Sequence, residues 1–154
     1  FKKLIFPVES GSQAIIDKYA SGKLDLVNHD IVGLIRCAKS HGIEIGGNYI
    51  FGWPGESDEE MQQTYRLALQ HMNAGMDYAN FVIITPFPGT MFYDMALSEN
   101  LLLPNLDVAD MDWMRPSIKT RVPHWFINLI ITKGWKFVNN SKRINRIKNM
   151  IPQT

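Results

Sequence analysis

Three segments of this chain repeat one pattern: an apolar strand, a polar turn rich in glycine or proline, then the opening of a helix. Residues 4–9 lead into Ser10-Gly11-Ser12-Gln13. Residues 45–51 lead into Gly52-Trp53-Pro54-Gly55-Glu56-Ser57, and residues 78–84 into Thr85-Pro86-Phe87-Pro88-Gly89-Thr90. Parallel neighbours need a crossover connection, usually a helix, so strand alternating with helix predicts a parallel sheet. In such sheets ligands bind beyond the carboxyl ends of the strands, where these three turns would gather. Glu9 stands at the first exit and Glu56 just past the second, so this edge is the candidate binding site.

Local signals fix the elements in between. Ser10-x-x-Gln13 has the form of a capping box for a helix over 13–19, and Ser57-x-x-Glu60 is a stronger one with three acids in its first turn. A helix over 28–41 is predicted from Ile31, Leu34, Ile35 and Ala38 on one face, stopped by Gly42. Gly46 and Gly47 in the second strand predict a bulge or a close backbone approach, and Pro7 suits only an edge position in the first. Met61, Tyr65, Ala68 and Met72 form the inner stripe of the third helix, which ends near Gly75. The third strand is almost continuously apolar, as expected when both faces are buried. A helix follows over 90–100. After Pro104 the pattern loosens into a loop, then a helix over 123–138 that is apolar on more than one stripe, and a basic helix over 141–150. No further strand is expected.

Charge divides the chain sharply. All fifteen acidic residues lie at or before Asp112, with seven basic ones; the remainder holds nine basic residues and none that are acidic. Such a tail either packs on its own acidic half or meets an anionic partner. Trp125, Phe126, Trp135 and Phe137 lie among its basic residues, but at helical spacing they read as core, so nucleic acid is not the expected partner. No run of about 18 apolar residues exists, so no membrane span is expected, and no signal peptide is recognised at the N-terminus. One cysteine, Cys37, excludes an internal disulfide and fits a reducing, cytoplasmic setting. Cys37 is expected to be buried, and the four histidines to be scattered over the surface. Because residue 1 is Phe and a strand follows almost at once, the chain is expected to be a piece excised from a longer protein.

The three exit motifs, in this order and spacing, resemble those of the radical S-adenosylmethionine enzymes, most closely the branch that often carries an N-terminal cobalamin-binding domain. The resemblance covers roughly residues 3–100. It implies an α/β fold: a partial parallel (βα) barrel of about three βα units, the C-terminal half of a radical SAM barrel, followed by a helical C-terminal region. Residues 1–103 would form the half-barrel and 104–154 a basic, mainly helical extension. The resemblance implies S-adenosylmethionine contacts at Glu9 and Ser10, at Asn48, Ile50, Gly52 and Glu56 of the fifth-strand motif, and at Thr85, Pro86 and Phe87 of the sixth. Asn48 stands where glycine is common in the family, and Glu56 falls one residue later than in the shortest form of the motif.

Each position also has a structural reading. Glu9 could stabilise a helix dipole, Gly52-Trp53-Pro54-Gly55 could be a tight turn only, Glu56 could be a first-turn charge, and Thr85-Pro86 could simply end a strand. The family's 4Fe-4S cluster needs three closely spaced thiolates, which this chain lacks. No residue is therefore assigned a catalytic or metal-binding role, and the chain alone is expected to be inactive. It would supply the adenosyl-binding wall to a parent Fe–S oxidoreductase whose N-terminal half is its partner; cobalamin would enter through that half, and the small-molecule substrate is not legible. Two other readings stay open: a non-catalytic α/β binding module, and an interaction domain acting through its basic tail. An unpaired first strand would also favour a homodimer through the sheet edge.

Overall fold

The computed structural model describes residues 2–139. The elements run β1 (Lys3–Glu9), α1 (Gln13–Tyr19), α2 (Ile31–Ser40), β2 (Glu44–Phe51), α3 (Asp58–Ala74), β3 (Tyr78–Ile83), α4 (Met91–Ser98) and α5 (His124–Lys133), the last continuing into a π-helical turn, Gly134–Val138. The three strands form one parallel sheet in the order β1-β2-β3. All three carboxyl ends therefore share one edge, as the alternation predicts. The fold is α/β with the expected βα units. The predicted helix over 141–150 lies outside the described residues.

One face of the sheet is the core. Val8, Ile45, Tyr49, Phe51, Ala79, Phe81 and Ile83 pack with Ile35 and Ala38 of α2, Met61, Ala68 and Met72 of α3, and Ile127 and Ile131 of α5. Tyr49 stacks on Phe81 at 5.6 Å between ring centroids, and Phe51 meets Phe81 at 5.9 Å. Such pairs add about 0.5–1.5 kcal/mol each beyond their burial. The opposite face is only half covered. Asn48, Ile50, Asn80 and Val82 line it in cross-strand register, and Asn80 donates to Asn48 at 2.9 Å. Burial in β3 thus alternates, whereas an apolar run predicted two buried faces.

Several expectations change in detail. Helix α2 begins at Ile31, not 28, because Asp30 caps it by accepting from the Gly33 amide. Leu34 falls outside its buried stripe and Cys37 is exposed, since α2 buries Ile35 and Ala38 in the core, with Ile31 partly buried against it. The cap of α1 is Ser12, not Ser10. Among the strands the bulge is in β1, between Pro7 and Glu9. In β2, Gly46 serves close approach instead: a Cβ there would stand 2.3 Å from the Tyr78 ring. Trp125, Trp135 and Phe137 are exposed rather than core, at 68%, 41% and 60%. The core-facing stripe of α5 is taken by Ile127 and Ile131, which turns Trp125 and Leu129 outward.

His71 corrects the surface assignment of the histidines. It is buried, and its Nδ1 lies 2.8 Å from the Tyr49 hydroxyl, which also contacts the Met76 sulfur at 3.6 Å. Burial pushes the His71 pKa down to about 4 and raises that of Tyr49. An unfolded histidine binds its proton near pH 6.5, so the unfolded state takes up the extra proton between about 6.5 and 4. Stability should accordingly fall as the pH drops through that window. Urea titrations of wild type and His71→Gln at pH 7 and pH 4.5 should show the acid loss diminished in the variant.

The outer edge of β3 is closed by two side chains and one backbone carbonyl. The Asn139 amide accepts from Ala79 N and donates to Ala79 O, both at 2.8 Å, so it takes the place of a neighbouring strand. Trp135 Nε1 donates to Phe81 O at 3.0 Å, and Ile83 N donates to Trp113 O at 2.8 Å. Gly134 allows this docking, because a Cβ there would come within 3.0 Å of the Phe81 ring. Asn139→Leu would strand two backbone groups of Ala79. The expected loss is about 2–4 kcal/mol in chemical denaturation, from the cost of unpaired buried groups.

Candidate functional site at the strand exits

The first exit is a strained turn. Glu9 has φ +70°, and Ser10 N donates back to Val8 O at 3.0 Å, closing a three-residue turn around Glu9. A non-glycine residue in this region costs about 1–2 kcal/mol, so surrounding contacts must hold it there. They come from α3. The Gly11 amide donates to Thr64 Oγ1 at 2.8 Å, the Ser10 hydroxyl lies 3.2 Å from the same oxygen, and Ser12 Oγ donates to Glu60 at 2.9 Å. Gly11 is required at this contact, since a Cβ would collide at 2.5 Å with the α3 backbone at Gln63 and Thr64. The Glu9 carboxylate is nearly buried and pairs with Lys23 across the loop after α1.

The second exit turns on Glu56. Gly52, at φ +83°, and Trp53 both donate their amides to Glu56 Oε2, at 2.7 and 3.2 Å. The side chain is fully buried, so Glu56 is not an exposed first-turn charge: one oxygen latches the turn. Oε1 has no partner, and Trp53 Nε1 is likewise buried and unpaired among the described residues. Burial pushes the Glu56 pKa up to about 8, against the two amide bonds, with the charge of Glu60 adding to the rise. Next along, Glu60 completes the expected capping box with Ser57. Burial opposes its charge, but the bonds from Ser57 and Ser12 and the nearby Arg121 outweigh that and hold its pKa low. Tyr19 stacks on Trp53 at 5.4 Å and donates to Pro54 O at 2.9 Å, so α1 is fastened to this turn as well.

At the third exit, Thr85 Oγ1 donates to Asp112 O at 2.8 Å, and Phe87 packs edge-on against Trp113 at 5.9 Å. Thr85 and Pro86 are buried and Phe87 half-buried. The three exits share a second small core in which Ile15, Trp53, Ile84, Ala96 and Ile118 meet, with Tyr19, Ile50 and Phe92 against it. Glu9, Ser10, Gly52, Glu56, Thr85, Pro86 and Phe87 thus lie along one edge, and Asn48 and Ile50 lie on the half-open face that leads up to it. Within this set Ser10, Gly52 and Glu56 are engaged in holding the turns. Sequence reasoning missed Ser12, Thr64, Trp53 and Tyr19, whose roles depend on contacts across 34 to 54 residues.

No family model matches the chain. Over 98 residues, 64% of this chain, it is 34% identical to a protein of Pyrococcus horikoshii named an uncharacterized methyltransferase, the match covering 20% of that protein. Over 92 residues, 60% of the chain, it is 32% identical to tRNA-2-methylthio-N(6)-dimethylallyladenosine synthases of Mannheimia succiniciproducens and Shewanella baltica, covering 19% of each. The chain therefore matches about a fifth of the length of these curated relatives.

The chain's only cysteine is exposed on α2, and among the described residues no group of His, Cys, Asp or Glu could hold a metal ion. These residues do not fit a 4Fe-4S cluster, which needs three thiolates. No helix among the described residues is long and apolar enough to cross a membrane.

The Glu56 latch makes a measurable pH dependence. Its folded pKa of about 8 exceeds the ordinary 4.5, so its contribution is fully present below 4.5 and is lost as the pH rises through about 8. Glu56→Gln, which keeps the shape and an acceptor oxygen, should flatten the decline in stability between pH 5 and about 9 seen in thermal or urea unfolding of the wild type.

Proposed function

We propose that this chain forms part of a radical S-adenosylmethionine enzyme and supplies the wall that faces the adenosyl and methionyl groups. The carrying observation is the convergence of three motif-bearing strand exits on one edge of a parallel sheet, with a nearly buried carboxylate at the first of them. Relatives named for methyl transfer and for a methylthio-nucleoside of tRNA accord with a parent that uses this cofactor. In such a parent the bound cofactor would supply radical chemistry, and Glu9, Asn48, Ile50 and the Thr85–Phe87 turn of this chain would hold it. The cluster's cysteines would come from another part of the parent, so this chain by itself neither holds the cluster nor turns over.

The residues here bind and orient. Glu9 accepts hydrogen bonds from hydroxyl or ammonium donors, which a charged acceptor in a partly dry site does strongly. Thr64 and Glu60 hold the turn that carries Glu9, and Lys23 pairs with its carboxylate, so the group is ordered before the ligand arrives and the ordering cost of binding is lowered. Ile50 and Asn48 offer the half-open sheet face, and the Thr85–Phe87 turn borders it. The unpaired Glu56 Oε1 and Trp53 Nε1 leave hydrogen-bonding capacity at the second exit; such atoms cost about 1–3 kcal/mol when unsatisfied. In this reading the free edge of β1, with Leu4 and Ile5 exposed, is where the first half of the barrel pairs.

Equilibrium dialysis of this chain with S-adenosylmethionine tests the proposal. Binding is expected, weakened about tenfold, roughly 1.4 kcal/mol, by Glu9→Ala and unaffected by Cys37→Ala. Absence of binding, or binding indifferent to Glu9, would contradict it.

A further inference from the structure

A groove of about 430 Å³ runs between α2 and α3, lined by Val32 and Arg36 from one helix and by Arg66, Leu69, Gln70, Asn73 and Ala74 from the other. It belongs to the helical layer, whereas the strand exits are tied to the first two turns of α3, so it is separate from the site above. The volume lies within the usual range for small-molecule sites.

The charges in it are unusual for this half of the chain. Up to Asp112 the sequence has fifteen acidic and seven basic residues, and five of the seven are lysines. The only two arginines, Arg36 and Arg66, line this one groove. Three of the lysines are neutralised, Lys3 by Glu44, Lys23 by Glu9 and Lys39 by Asp77. Neither arginine makes an ion pair or hydrogen bond among the described residues. Nor do the helical neighbours include a carboxylate. The positions three and four away are Val32, Gly33, Lys39 and Ser40 for Arg36, and Gln62, Gln63, Leu69 and Gln70 for Arg66. Two like charges sharing one groove repel, and an anion between them reverses the sign of that energy. Guanidinium is also the group whose planar fork matches phosphate oxygens two at a time.

The size and charge of the anion follow from the surroundings. Two unpaired guanidinium groups match a dianion, and a phosphomonoester carries about −1.5 to −2 at neutral pH. A long polyanion would extend beyond the two arginines over a stretch of chain that, up to Asp112, has fifteen acidic and seven basic residues, which disfavours it. Val32, Leu69 and Ala74 form an apolar wall that inorganic phosphate would leave unused, and Gln70 and Asn73 add amide donors. We propose that the groove between α2 and α3 binds a small organic phosphomonoester, with the phosphate between Arg36 and Arg66 and the organic part against Val32, Leu69 and Ala74. The inference stands apart from the S-adenosylmethionine reading and survives its failure.

The test is amide NMR of the full chain titrated separately with phenyl phosphate, inorganic phosphate and phenol. Saturable shifts over residues 32–36 and 66–74 are expected with phenyl phosphate, at a Kd of about 1 mM or below, and weaker ones with the other two. Arg36→Gln and Arg66→Gln, both at exposed positions, should each weaken phenyl phosphate about tenfold with unchanged thermal unfolding. Four results would overturn the proposal: no saturation up to about 10 mM, binding that both variants retain, inorganic phosphate binding as tightly as phenyl phosphate, or shifts confined to the basic residues beyond 112.

Discussion

The start of α3, with Glu56 just ahead of it, holds two of the strand exits together. Within nine residues, Glu56 latches the second strand exit, Glu60 caps its own helix while accepting from Ser12, and Thr64 receives the Gly11 amide of the first exit. One helix terminus therefore fixes two loops that are more than forty residues apart in sequence. The arrangement needs Gly11, because the first loop touches the α3 backbone itself. It also helps to sustain the left-handed conformation of Glu9, beyond the single local bond from Ser10 N to Val8 O.

From that constraint the rest of the edge follows. The parallel order brings the third exit alongside, and the stacked Tyr19 and Trp53, with Phe92 edge-on to both, fill the space beneath the turns. The sheet's two margins differ in kind. At β3 the backbone groups are met by Asn139, Trp135 and Trp113, which ends the sheet without another strand. At β1 the margin carries exposed Leu4 and Ile5. The two margins of the sheet are therefore finished differently, one by hydrogen-bonding groups and the other by exposed apolar side chains.

Elements with local chemical signatures were legible in sequence: the Ser57 capping box, the stop at Gly75, the Met61-Ala68-Met72 stripe and the three exit turns. What was misread depended on distant partners. Ser10-x-x-Gln13 has the form of a cap, but the Ser10 hydroxyl is drawn to Thr64, and Ser12 does the capping instead. Glu56 resembled a first-turn acid until its oxygen was found on the Gly52 and Trp53 amides. His71 carried a usable signal that was passed over, since it lies three residues after Ala68 and seven after Thr64, both on the buried face. The outward turn of Trp125, Trp135 and Phe137 had no such signal, because an apolar helix does not reveal which of its stripes the sheet will take.

Photolabelling is the most direct measure of whether these exits form one ligand-binding edge. The chain would be irradiated with radiolabelled S-adenosylmethionine and its peptides mapped. Label concentrated in residues 9–12, 48–56 and 84–87, and displaced by excess unlabelled cofactor, is the predicted outcome. Label spread over the chain, confined to the helical layer, or insensitive to competition would contradict the account.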